Sequence, residues 1–172
     1  ARLVAQRAGL PDKVTGMTIN RFCTSGLQTV ATAANAIMCG QAEVLVAGGV
    51  ETMSMVSMAT DPSIMEPYLA KHAVDNYISM GMTAENVVTD YNISREDMEK
   101  MACESHAKAA AAQAAGWFED QIVPVDGLDA DGHSVVLTRD EGIRPSTTME
   151  SLAGLKPCFK PDGVVTAATS SQ

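Results

Sequence analysis

The chain has 172 residues, with 12 basic and 21 acidic side chains and a net charge of −9. That length fits one domain, or one domain with a subdomain, and is enough for a sizeable core. A hydrophobic share of 46% against 19% charged excludes intrinsic disorder, apolar runs as short as Val44–Ala47 exclude a membrane-spanning helix, and the acidic balance argues against a nucleic-acid partner.

In chain order, residues 2–8 read as the last turns of a helix, stopped by Gly9 and Pro11. Residues 14–21 mix β-branched and polar residues and predict a strand. Cys23-Thr24-Ser25-Gly26 breaks it. A helix then runs over 27–39, apolar on nearly all sides, which marks a helix meant to be covered. Gly40 is its expected C-terminal stop, and residues 43–47 form a short continuous apolar strand. Strand, helix and strand in this order make a βαβ signal and predict an α/β layered fold. Residues 55–82 are rich in loops. Six of the eleven methionines, at 53, 55, 58, 65, 80 and 82, fall in this neighbourhood, either as core filler or as an adaptable apolar surface. A helix is predicted over 84–91. Ser94 with Asp97 forms a capping-box pattern that opens a second helix, continued to Gly116, with Glu96–Lys100 and Glu104–Lys108 at i,i+4. Its charged pattern reads as a solvated face and is assigned no chemistry. Residues 122–125 and 134–138 read as strands around a polar turn.

Cysteines stand at 23, 39, 103 and 158, with no Cys-x-x-Cys spacing, and His72, His106 and His133 are scattered, so no metal site is expected. Asp129-x-Asp131-Gly132 fits a hairpin turn better than a calcium loop. Residues 139–160 hold Arg139, Arg144, Lys156 and Lys160 against Asp140, Glu141 and Glu150. A locally basic window on an acidic chain suits a small anionic ligand.

Cys23 is the most informative residue. It stands at a strand end just before a helix, where free N–H groups and positive potential favour a thiolate, in the strand–turn–helix arrangement that presents nucleophiles. The competing reading is an ordinary buried thiol.

The segment Asn20-Arg21-Phe22-Cys23-Thr24-Ser25-Gly26-Leu27-Gln28 resembles the active-site segment of the thiolases, the acetyl-CoA acetyltransferase and 3-ketoacyl-CoA thiolase family. Four further blocks resemble that family in order and spacing: Ala47-Gly48-Gly49-Val50-Glu51-Thr52-Met53-Ser54, Met80-Gly81-Met82-Thr83-Ala84-Glu85-Asn86, Asp140-Glu141-Gly142-Ile143-Arg144 with Leu155-Lys156-Pro157-Cys158-Phe159, and Gly163-Val164-Val165-Thr166-Ala167. The resemblance implies a thiolase-like layered α-β-α-β-α fold. Residues 1–54 would be a partial N-terminal α/β domain with the nucleophile, 55–160 an inserted CoA-binding loop domain, and 161–172 the return strand of the N-terminal domain.

By the same resemblance Cys23 would take up the acyl group covalently and pass it to CoA or to the enolate of acetyl-CoA, with its backbone N–H helping to hold the oxyanion. Arg144 and Ser151 would lie near the nucleotide end of CoA, and Met80, Cys158, Phe159, Ala167 and Ser171 would line the pantetheine channel. CoA and acyl-CoA enter as substrates, with no further cofactor. A homodimer or tetramer is implied, and so is a bacterial cytoplasmic, mitochondrial or peroxisomal setting. Ala168-Thr169 replaces the family's Gly-Asn, and Ser79 replaces a histidine of some biosynthetic members, which points toward the degradative branch. The family's catalytic histidine and second cysteine match nothing in the 172 residues. Both ends read as cuts through structure, so an internal fragment of a longer chain is expected, inactive alone and with apolar faces uncovered around 27–38. Two other readings are a non-catalytic acyl- or lipid-CoA-binding relative, and a ketoacyl synthase, which shares the fold.

Overall fold

Local capping decides where the helices begin and end. In the computed structural model, which describes residues 1–53, 55, 56 and 62–170, helix α1 spans Arg2–Arg7 and stops at Gly9, whose φ of +79° only glycine adopts freely. Helix α2 spans Ser25–Met38 and ends at Gly40 with φ +70°, where the Gln41 N–H donates to the Ala36 carbonyl. Contacts divide the chain into two units, Ala1–Thr60 and Asp61–Gln172.

In the first unit the two predicted strands are extended but unpaired: residues 14–20 and 44–50 form no ladder. Residues 14–18 are instead fastened to α1, where Arg2 Nη1 donates to the Val14 carbonyl at 2.7 Å, and a Cβ on Gly16 would stand 2.6 Å from the Arg2 nitrogen. A parallel strand is stable only between neighbours, and among the described residues none takes that place. Helix α2 accordingly has no buried residue. Leu27 is 72% exposed and Met38 83% exposed. The apolar pattern of 27–38 calls for covering layers, and the described residues do not supply them.

The second unit is built on helices. After a 3₁₀ turn at Pro62–Ile64 come α3, Pro67–His72, capped by the Glu66 carboxylate, and a 3₁₀ turn at Val74–Tyr77. Helix α4 covers Met80–Tyr91, four residues longer at its start than the sequence pattern suggests, because Ser79 Oγ caps the Met82 N–H. Asn92, at φ 51°, ends it. Helix α5 covers Arg95–Ala114 and opens at Ser94, whose Oγ accepts from the Asp97 N–H at 3.0 Å. Of the two predicted ion pairs, Glu104–Lys108 forms at 3.7 Å; the first turn is organised by Arg95 and Glu99 instead. Strands β1, Val125–Leu128, and β2, Ser134–Leu137, pair antiparallel, with Val125 opposite Leu137 and Leu128 opposite Ser134. The short helix α6, Met149–Ala153, follows. Pro157 and Thr166 form an isolated antiparallel bridge, next to which the Cys158 N–H donates to the Val165 carbonyl.

The turn between β1 and β2 is an Asp129-centred loop. Asp129 Oδ1 accepts from the His133 N–H at 2.8 Å and the Asp131 N–H at 2.9 Å, and Gly132 takes φ +83°. The His133 backbone bond holds the Asp129 carboxyl below the usual aspartate value of 3.8. A folded value below the unfolded one means that the charged form supports the turn. Its contribution is complete above the ordinary aspartate range and is lost as pH falls through the lower folded value. A carbon-detected NMR titration should place the Asp129 midpoint below 3.8; a midpoint at or above it would remove this account of the turn.

Candidate functional site

In the first unit, short bonds shape the segment around Cys23. The Phe22 N–H donates to Asn20 Oδ1 at 2.9 Å, the Arg21 N–H to Ser25 Oγ at 2.8 Å, and Ser25 Oγ to the Phe22 carbonyl at 2.7 Å. Arg21 Nη1 donates to Gln28 Oε1 at 2.6 Å, tying the turn to the first turn of α2. Phe22 sits at φ 47°, a left-handed conformation costing about 1–2 kcal/mol for a residue with a side chain. Such strain concentrates where a backbone is bent to present a group. Cys23 follows directly, two residues before α2 begins, and its thiol is free and exposed. Gly26 and Gly49 approach so closely that a Cβ on Gly49 would lie 3.8 Å from the Gly26 Cα, and Thr29 Oγ1 donates to the Gly48 carbonyl at 3.3 Å. The two blocks 20–28 and 47–53 are therefore neighbours in space.

The second unit holds an open cleft of about 1250 Å³. Of the seven residues expected to hold CoA, five line it: Arg144, Ser151, Cys158, Phe159 and Ala167. Met80 does not. It begins α4 and is 73% exposed, while the adjacent Gly81 packs under the Phe159 ring, so close that a Cβ there would fall inside the ring's contact distance. Ser171, like Met58 in the methionine-rich stretch, lies outside the described residues. Ala167–Thr169 forms a single 3₁₀ turn closed reciprocally by Thr166 and Thr169, so Ala168-Thr169 makes a regular turn without glycine.

Helix α5 overturns its reading as a solvated face. Met98, Met101, Ala102, Ser105 and His106 line one wall of the cleft. Their 3–4 spacing was legible, but small and sulfur-containing side chains among charges do not read as an apolar stripe. The rim at 144–151 is built from hydrogen bonds. Thr147 donates to the Arg144 carbonyl through N (3.2 Å) and Oγ1 (2.8 Å), and Thr148 and Ser151 cap each other at the start of α6. The ionisable groups among the lining residues are His106, Arg144 and Cys158, with no carboxylate. Such a wall favours an anionic ligand on a chain of net charge −9.

Helix α6 is held by Arg95. Its Nε donates to Glu99 Oε1 at 2.6 Å, and its Nη2 reaches the carbonyls of Leu152, Ala153 and Leu155 at 3.1, 3.3 and 2.8 Å. The Glu99 side chain is 7% exposed and that of Arg95 28% exposed. Replacing Arg95 with Met keeps the packing stem but leaves a buried carboxylate unpaired and removes the guanidinium donor from three carbonyls, of which that of Leu152 keeps the Leu155 N–H. Thermal unfolding should show a loss of about 2 kcal/mol, at the low end for a pair partly open to water.

The described residues thus present an exposed thiol on a strained turn at a helix start in the first unit, and in the second unit an open cleft whose lining carries no carboxylate. The chain belongs to the thiolase family: the family model described as "Thiolase, N-terminal domain" matches residues 1–172. It is 45% identical to the 3-ketoacyl-CoA thiolase of Bacillus subtilis, covering 100% of this chain and 46% of that protein. It is 43% identical to the acetyl-CoA acetyltransferase of Cupriavidus necator, covering 99% and 47%. The crystal structure of the dimeric peroxisomal thiolase of Saccharomyces cerevisiae superposes with a TM-score of 0.85 at 36% identity, covering 97% of this chain and 43% of that one. The fold is thus the thiolase-like α/β fold, and the chain spans under half the length of the relatives it matches.

Proposed function

We propose that the protein to which this chain belongs is an acyl-CoA C-acyltransferase that works through an acyl-cysteine at Cys23. The observation that carries the reading is the placement of Cys23: a free, exposed thiol directly after a left-handed residue and two residues before α2. In the cleavage direction the Cys23 sulfur forms a bond to the 3-keto carbon of a 3-ketoacyl-CoA. The bond between that carbon and the next carbon of the acetyl-CoA unit breaks, and acetyl-CoA leaves as an enolate that takes up a proton. The thiolate of a second CoA then attacks the acyl-cysteine carbonyl, forming the new acyl-CoA and returning the Cys23 thiolate. Condensation is the same sequence reversed. CoA would lie in the cleft, with Arg144 and Ser151 toward its nucleotide end and Cys158, Phe159 and Ala167 along the pantetheine arm. The family's histidine and second cysteine would take the protons from the two thiols and return one to the leaving enolate, and neither has a counterpart in the 172 residues.

The test is mass spectrometry of the intact protein after exposure to a 3-ketoacyl-CoA. An acyl mass should appear on the peptide that carries Cys23. CoA binding without any acyl adduct would overturn the enzymatic reading and favour a CoA-binding relative. The cleft and its absence of carboxylates support that second reading equally well, since binding needs no nucleophile.

A further inference from the structure

Helix α5 carries a histidine that the acyl-transfer scheme does not use. His106 is half-buried in the cleft wall, and its Nδ1 lies 3.1 Å from the backbone nitrogen of Arg144, 38 residues further along the chain. The donor is an amide N–H, so Nδ1 must be the unprotonated nitrogen and the ring proton must sit on Nε2. Among the described residues α5 fastens the 140–144 stretch at two backbone points. Gln113 Nε2 donates to the Asp140 carbonyl at 3.2 Å, and His106 accepts at Arg144. The two act with opposite polarity. Gln113 supplies a donor; position 106 must supply an acceptor, which lysine or arginine could not do.

Beyond Arg144 the chain is tied to itself. The Arg144 carbonyl accepts both bonds from Thr147, and Thr148 and Ser151 close the cap of α6. His106 thus ties the start of this turn to α5, between the bond from Gln113 at Asp140 and those from Arg95 at the end of α6.

We propose that His106 is a positioning residue for the ligand cleft: as a neutral imidazole accepting the Arg144 N–H, it fixes the 144–147 turn against α5 and so sets where Arg144 and Ser151 meet an anionic ligand. The ligand class, CoA, rests on the reading given under Proposed function. The inferred part is the requirement for an acceptor at the place of Nδ1. An asparagine side chain can put its amide oxygen there; glutamine, one carbon longer, puts its amide at the place of Nε2; alanine supplies nothing.

The experiment compares His106→Asn, His106→Gln and His106→Ala with the unaltered protein, in the intact protein, by calorimetric CoA affinity and by hydrogen exchange of the Arg144 amide. Loss of one neutral hydrogen bond should weaken CoA binding by about three- to tenfold in the Ala and Gln variants and speed Arg144 exchange by a similar factor. The Asn variant should stay within about twofold of the unaltered protein in both readouts. Unchanged CoA affinity in the Ala variant, or an Asn variant as impaired as Ala, overturns the proposal; the latter would show that ring packing is what matters. If the unaltered protein does not bind CoA, the CoA reading fails, and the Arg144 exchange rates still decide whether the acceptor at 106 holds the turn.

Discussion

Replacing Glu85 with Ala is expected to cost about 3–4 kcal/mol of stability and to loosen one wall of the cleft. Glu85 is 2% exposed, an unusual place for a carboxylate. Its Oε1 accepts from the Val164 N–H at 3.0 Å and the Val165 N–H at 2.8 Å, and Oε2 lies 3.2 Å from the Val164 nitrogen. Val165 is 2% exposed, one of two buried apolar side chains among the described residues, with Leu152. Water cannot readily replace the lost acceptor, and each orphaned buried N–H costs about 1–3 kcal/mol. Glu85→Gln should cost roughly half as much, because it keeps one acceptor oxygen and turns an NH₂ group toward the other contact. Gly163→Ala attacks the same joint from the opposite side, since a Cβ there would collide with Glu85 Oε1. Denaturant melts give the stability; hydrogen exchange at Val165 locates it. The strand end that Glu85 holds carries the bridge between Pro157 and Thr166 and the bond from the Cys158 N–H to the Val165 carbonyl, so Cys158, Phe159 and Ala167 should lose order together. A melt unchanged by Glu85→Ala would show that the carboxylate is dispensable to the fold.

Helix ends were legible in the sequence because caps are local. Gly9, Gly40 and Gly116 act within a few residues of themselves and as read, while Ser94 caps the Asp97 N–H but Asp97 returns its carboxylate to the Ser94 hydroxyl and not to its backbone N–H, so only half of the expected capping box forms. The strands at 14–21 and 43–47 show the converse. Their composition is right for a covered sheet, but a ladder is a property of two segments, and the described residues provide no second one. The exposed side chains of α2 follow from the same lack of a neighbouring layer.

Within the cleft, Arg144, Ser151, Cys158, Phe159 and Ala167 came from a family resemblance and meet in space, although 23 positions separate the first from the last. The far wall was not legible. His106 and Met98 looked like members of a solvated helix because their partners stand some forty or more positions away. Glu85 and Glu99 were missed for a related reason. An acidic residue on a helix is read as facing water, and only the fold shows that backbone N–H groups at 164 and 165, or Arg95, have taken water's place.

The largest effect on chemistry is expected from Cys23→Ser. Serine keeps the size of the side chain and the hydrogen-bonding character of the turn, so the bonds from Arg21 to Ser25 and from Phe22 to Asn20 should persist and stability should change by less than about 0.5 kcal/mol at so exposed a position. Nucleophilicity changes far more. A thiol is a few per cent ionised near pH 7 and attacks well as a thiolate, whereas a hydroxyl needs a base in the act of attack. The unit that carries Cys23 contains no histidine to serve as that base. Acyl transfer in the intact protein should therefore fall by on the order of 10⁶-fold, the scale seen when a nucleophile is removed from an otherwise assembled site. CoA affinity should stay within about twofold, since serine nearly keeps the size of the side chain and Arg144, Ser151, Cys158, Phe159 and Ala167, the residues proposed to hold CoA, are untouched. That split between lost turnover and retained binding is the signature of a residue that reacts rather than one that binds. A parallel fall in both would show that Cys23 contributes to holding CoA as well as to reacting, and unimpaired turnover by the serine variant would remove it from the reaction.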